Sequence, residues 1–160
     1  MKNLDQRQVA QPDSKEHLRL WLRLLKVSRT VESELRERLR VEFGTTLPRF
    51  DVMSALYRNQ SGMKMSELSR MLMVSNGNVT GIVDRLTEDG MMIREAVPGD
   101  RRAARVKLTQ KGIAEFAKLA EAHERWVSEL LGGLSGGDSA IAANFISTAL
   151  RANKEAGDDH

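Results

Sequence analysis

Apolar residues recur at helical spacing through most of the chain. From Ser14 to Glu42, Leu18, Trp21, Leu22, Leu25, Leu35 and Leu39 return at three- and four-residue steps, which predicts a long amphipathic helix with Ser14 as its cap. Gly44 ends it. Pro48 suits the first turn of a second helix, about Pro48 to Arg58, with Phe50, Met53, Leu56 and Tyr57 on its apolar face. Asn59 to Gly62 reads as a turn. Two shorter helical segments follow, Ser66–Leu72 and Asn76–Asp89, the second capped by Ser75. The period then changes. Met91–Val97 and Ala103–Leu108 read as strands, the latter with Ala104, Val106 and Leu108 alternating with Arg105 and Lys107, and Pro98 to Arg102 as the turn between them. Thr109 caps a long helix to about Leu131, with Ile113, Phe116, Leu119, Ala120, His123 and Val127 on one stripe. After the glycines of 132–137 a last helix spans about Asp138–Lys154.

The fold class expected is therefore mainly α with a small β-wing: a winged helix-turn-helix with long N- and C-terminal dimerisation helices. It divides into an N-terminal arm (1–13), N-terminal helices for dimerisation and a pocket wall (14–61), a DNA-binding domain (62–112), C-terminal dimerisation helices (113–155) and a tail (156–160), both ends flexible. The apolar stripes of the first and last helices have no evident partner in so small a protein, and a second copy would bury them.

The helix-turn-helix carries the function. Ser69 is a small residue where the two short helices touch, and Val79, Ile82, Val83 and Leu86 anchor the second at i, i+3, i+4, i+7. Its other face is Asn76, Gly77, Asn78, Thr80, Gly81, Asp84 and Arg85, whose amides and hydroxyls suit base edges and phosphates in a major groove. Two glycines inside a helix each cost about 1 kcal/mol against alanine. Close approach to DNA explains that cost, and so does a crowded helix crossing. Arg101 and Arg102, beside Asp100 at the hairpin tip, suit a minor groove or its phosphates, with Asp100 tethering one guanidinium.

Charge agrees with this picture. Residues 1–61 carry 12 Lys/Arg against 8 Asp/Glu, residues 62–112 carry 9 against 6, and residues 113–160 carry 4 against 8, so a basic front precedes an acidic tail. The chain has no cysteine, which excludes disulfides and thiol chemistry. Its three histidines, His17, His123 and His160, have no ligand cluster around them, so no metal and no cofactor is expected. No nucleophile–base pair or phosphate loop can be assembled, so an enzyme is not expected. No apolar run reaches the roughly 18 residues of a membrane span, and the N-terminus lacks a signal-peptide core, which places the protein in the cytoplasm.

The stretch MSELSRMLMVSNGNVTGIVDRLTEDGMM, followed by PGDRRAARVKLTQKG, resembles the MarR family of winged helix regulators. The resemblance implies a homodimer with interleaved first and last helices, bound to a pseudo-palindromic operator in double-stranded DNA. It further implies a repressor that a small organic effector releases. Matched residue by residue, it places Ser75, Asn76, Gly77, Asn78, Thr80 and Arg85 of the recognition helix, and Asp100, Arg101 and Arg102 of the wing, at DNA. Three positions depart from the family pattern: Gly81 stands where many relatives carry a long basic side chain, Met73 replaces a turn glycine, and Lys64 replaces a hydroxyl cap. The segments LRLWLRLL and EFGTTLPRFDVM resemble the subgroup answering to aromatic acids and hydroxycinnamoyl-CoA thioesters. That likeness implies an effector site at Trp21, Arg49, Phe50 and Met53, with an aromatic acyl-CoA as one candidate. The arginines of the first helix would then meet its phosphates. A constitutive or architectural DNA-binding protein without an effector is the competing reading.

Overall fold

The computed structural model describes residues 12–158. The arm expected at 1–13 therefore lies outside the described residues up to position 11, and Pro12 and Asp13 already belong to the first helix, α1 (Pro12–Phe43). Proline fits there because the first helical N–H has no partner to lose. At 32 residues α1 is about 48 Å long. Its apolar stripe has two fates. Leu35 and Leu39 are buried, whereas Leu18, Leu20, Trp21, Leu22 and Val27 are all more than half exposed. The basic residues of α1 are in part paired along the helix: Glu16 with Arg19, Glu32 with Arg36 at 2.6 Å, and Glu37 with Arg40 at 2.6 Å. A glutamate one turn ahead of a basic residue is the favourable order on a helix surface.

Helix α2 (Leu47–Arg58) starts where the sequence places it. The Thr46 hydroxyl caps it by accepting the Arg49 N–H. Burial wraps round the helix beyond a single face, since Val52 and Ala55 are buried along with Phe50, Met53 and Leu56. Phe116 packs its ring 5.3 Å from Phe50 and 4.9 Å from Tyr57, and the tyrosine stays 36% exposed, so it is a rim residue of this core.

A short strand, β1 (Met63–Lys64), precedes α3 (Met65–Leu72). The sequence gives no period for so short a strand, and the two-stranded wing it predicts is one strand short. β1 pairs antiparallel with β3 (Asp100–Leu108), which pairs with β2 (Met92–Val97), giving the order β1-β3-β2. Gly62, at φ +88°, admits this pairing, because a Cβ there would lie 2.8 Å from the Val106 carbonyl oxygen.

Between α3 and α4 (Asn76–Glu88), the buried Ser69 closes the turn by donating its hydroxyl to the Val74 carbonyl at 2.5 Å. Met73 adopts the left-handed conformation at φ 54°, with its side chain 93% exposed. A β-carbon in that conformation costs about 1–2 kcal/mol, and the exposed side chain recovers little by packing. Met73→Gly is therefore expected to raise stability by about 0.5–1 kcal/mol after the added flexibility of the unfolded chain is subtracted. Thermal melts of the two proteins check this, and a lower melting temperature for the glycine variant would contradict the strain assigned to Met73.

Thr109 caps α5 (Gln110–Leu130) by accepting the Gly112 N–H while donating to the Gly90 carbonyl. Helix α6 (Gly136–Asp158) begins two residues before the expected start and runs into the segment expected to be a tail. Its cap is a reciprocal pair missed in the sequence. The Asp138 N–H donates to the Ser135 hydroxyl and the Ser135 N–H to the Asp138 carboxylate; the Ser135 hydroxyl also donates to that carboxylate at 2.6 Å, and this bond first, with the N–H bond second, holds the carboxyl below its ordinary pKa. The chain forms two compact units that divide within α5, between Glu121 and Ala122. In the second unit, α6 leaves Ile141, Phe145, Ile146 and Leu150 exposed. Among the described residues no helix is long and apolar enough to cross a membrane.

Candidate nucleic-acid interface

Helical geometry divides α4 into faces. Val79, Val83 and Leu86 are fully buried. At 100° per residue, Gly77, Gly81 and Asp84 point most nearly the opposite way, with Asn76 and Thr80 to one side and Asn78 and Arg85 to the other. The crowded-crossing explanation for the two glycines fails, because a Cβ at either position would meet nothing within 4 Å. The middle of the outward face is thus nearly bare backbone. The face carries two carboxylates towards its C-terminal half: Asp84, paired with Arg94 of β2, and the exposed Glu88 in the last turn.

Each flank of α4 borders a cleft. On one side a space of about 370 Å³ is lined by Asn76 and Thr80, by Lys64, Met65 and Ser66 at the start of α3, and by Arg102, Ala103 and Ala104 of the wing. The fold here joins recognition-helix and wing residues that are more than twenty positions apart. Lys64 and Ser66, which border this cleft, are not among the DNA-binding residues read from the sequence. Lys64 makes no side-chain cap bond, and only the other half of a capping box forms: the Glu67 carboxylate accepts the Lys64 N–H at 2.9 Å. Thr80 donates its hydroxyl proton to the Asn76 carbonyl at 2.8 Å, which leaves its oxygen to accept from an incoming donor. Ser75 caps α4, accepting the Asn78 N–H.

The wing departs from expectation in detail. The turn is Pro98-Gly99 alone, with Val97 paired to Asp100, so Asp100, Arg101 and Arg102 open β3 instead of forming the tip. Gly99 at φ +82° after a proline fits a type II turn. The Asp100 carboxylate accepts the Arg102 backbone N–H at 3.0 Å, so the expected guanidinium tether is replaced by a local bond to the backbone. Both arginines remain exposed.

None of the clefts beside α4 is lined by the four effector residues read from the sequence together. Phe50 and Met53 are core residues at 6% and 3% exposure. Arg49 is bonded to Asp89 at 2.5 Å. Trp21 is exposed, on the part of α1 whose apolar residues are not buried in the single chain. A separate cavity of about 630 Å³ has mainly apolar walls of Leu47, Pro48, Val52, Val74, Val79 and Ile82, with Arg36, Arg40 and Asp51 also bordering it. Burial, aided by nearby Glu32, raises the pKa of the Asp51 carboxyl. Asn78, Val79 and Ile82 of α4 form part of this wall, so the contents of the cavity touch the helix that carries the polar face.

Comparison with known proteins agrees with this geometry. Residues 45–104 match the MarR family. The chain is 35% identical to a MarR family transcriptional regulator of Silicibacter pomeroyi, with a TM-score of 0.73 over 88% of this chain and 97% of that one. A mutant MarR from E. coli, solved with operator DNA, is 26% identical with a TM-score of 0.72 over 84% of this chain and 96% of that one. The uncharacterized HTH-type transcriptional regulator YkoM of Bacillus subtilis is 31% identical across 59% of this chain, a match that spans 60% of YkoM. On the strength of the wing, the helix-turn-helix and a likeness running nearly the full length of the Silicibacter protein, the chain belongs to the MarR family of transcriptional regulators.

Proposed function

We propose that the protein is a homodimeric DNA-binding repressor that recognises a pseudo-palindromic operator and lets go when a small organic ligand binds. The observation that carries this reading is the cleft joining Asn76 and Thr80 of α4 to Arg102 of the wing and Lys64 of the α3 start. A polar helix face flanked by cations has the chemistry to combine base readout with phosphate contact. In this reading Ser75, Asn76, Gly77, Asn78, Thr80 and Arg85 face the major groove, and Asp100, Arg101 and Arg102 place the wing at the neighbouring backbone. The operator-bound E. coli relative supports it.

The ligand reading is an aromatic acid or an aromatic acyl-CoA, the hydroxycinnamoyl thioesters included. The cavity beside α4 supports an apolar ring among Leu47, Pro48, Val52 and Ile82, with Arg36 and Arg40 available to an anionic group. Trp21, Arg49, Phe50 and Met53 do not border that space, so it is the better placed of the two candidate sites. Because α4 supplies one wall, a ligand that favours a displaced α4 shifts the population away from the DNA-competent form.

Selection of bound duplexes from a random-sequence pool tests the proposal. The expected result is one enriched site with two-fold symmetry and half-sites about one helical turn apart. An aromatic acid or its CoA thioester should then release the protein from that duplex. Binding without sequence enrichment would favour the architectural reading, and enrichment without release by any such ligand would favour a constitutive regulator.

A further inference from the structure

The second flank of α4 borders a notch of about 280 Å³, of which the DNA-binding reading has used only the α4 side. Its walls are Thr46 and Arg49 at the start of α2, and Gly77, Asn78, Gly81, Ile82 and Arg85 of α4. Two guanidiniums from different helices thus border one small space whose α4 side is free of side-chain bulk at two positions. Arg85 is exposed. Arg49 is 26% exposed and fixed at one nitrogen by Asp89, and its Nε is buried without a hydrogen-bond partner. A buried donor left unpaired is unfavourable, which offsets part of what the Asp89 bond contributes. Asp89 stays ionised beside it, because the Arg49 hydrogen bond lowers the carboxyl pKa.

A helix lying in a major groove has a phosphate wall on each side, since the groove is only slightly wider than the helix. The Lys64–Arg102 cleft faces one wall. The notch is on the other flank of the same helix. We propose that the notch between Arg49 and Arg85 is a second phosphate-binding site, which grips the DNA strand opposite the one held at the wing cleft. The glycine face lets α4 sit close to the groove floor, and that depth brings Arg49, on a neighbouring helix, within reach of the backbone. Arg49 is then a DNA contact and not an effector ligand.

This inference rests on the DNA-binding reading, and the test separates the two. Affinity for a random-sequence duplex is measured by fluorescence anisotropy across a salt series, for the full-length protein and for Arg49→Gln, Arg85→Gln, Arg102→Gln, Gly81→Leu and Asp89→Asn. Each lost phosphate contact flattens the log–log salt dependence by about 0.9 per protomer engaged. Arg49→Gln and Arg85→Gln are expected to flatten it as Arg102→Gln does. Gly81→Leu is expected to weaken binding with no change in charge, because its side chain enters open space and fills the notch. Asp89→Asn distinguishes contact from bracing. If Arg49 touches phosphate, removing its carboxylate partner leaves binding equal or tighter; if Arg49 only braces α4, Asp89→Asn weakens binding as Arg49→Gln does, and the proposal fails. An unchanged slope in both notch arginine variants, with a flattened slope in Arg102→Gln, overturns the notch and leaves the DNA-binding reading standing. A full-length protein that shows no salt-dependent binding overturns both.

Discussion

Gly112→Ala is expected to destabilise the protein by about 3 kcal/mol and to lower its melting temperature by about 10 °C. Alanine is normally the better helix former by about 1 kcal/mol, and Gly112 lies in the first turn of α5, so propensity alone predicts the opposite sign. Packing reverses it. A Cβ on Gly112 would lie 2.1 Å from the Met91 carbonyl oxygen and 3.0 Å from its carbon. That oxygen is not free to retreat, because it accepts the Thr109 N–H at 3.0 Å. The same turn is pinned again by the Thr109 hydroxyl, which accepts from Gly112 and donates to Gly90. Relief therefore requires moving the start of α5 away from the segment entering β2, at the base of the wing. Calorimetry of Gly112→Ala beside Gly77→Ala makes the comparison sharp. Both place alanine in a helix, but a Cβ at position 77 meets open space and should stabilise by up to about 1 kcal/mol. Equal effects of the same sign would refute the packing argument.

Phe145→Asp is expected to convert the proposed dimer into monomers and to reduce operator affinity by at least two orders of magnitude. Phe145 is 73% exposed in the single chain and shares a broad apolar arc of α6 with Ile141, Ile146 and Leu150. Burying such a side chain contributes about 1.5–3 kcal/mol, and a two-fold interface counts it twice. An aspartate in its place also forces an unpaired carboxylate out of water. The combined loss, of the order of 5 kcal/mol, corresponds to a dimer dissociation constant raised by about three powers of ten or more. Two half-sites held by one dimer bind far more tightly than either alone, so operator binding falls with the dimer. Because residue 145 is exposed, helix content should be preserved, and circular dichroism checks this. Sedimentation of both proteins at micromolar concentration decides the matter: a variant that stays dimeric with full operator affinity would remove α6 from the interface.

The order of helices and strands was written in the sequence, because each long element repeats a local signal many times. The 3.6-residue stripe of α1, Pro48 in the first turn of α2, the Ser75 cap of α4 and the alternation of Ala104, Val106 and Leu108 are all local chemistry. So is the division of α4 into an apolar anchor and a polar face. What the sequence could not supply was anything depending on a partner distant along the chain. β1 is too short to show a period and exists because Gly62 lets the backbone meet β3. Phe50 and Met53 look equally suited to a ligand or to a core, and only Phe116 and the surrounding burial decide for the core. The glycines of α4 admit two explanations in one dimension; the open space beside them removes one. Lys64 and Arg102, and likewise Arg49 and Arg85, become neighbours of shared clefts only after the chain has folded. Local periodicity fixes which face of an element is apolar, whereas the meeting of two faces is set by packing among elements, and the clefts of this protein are products of that packing.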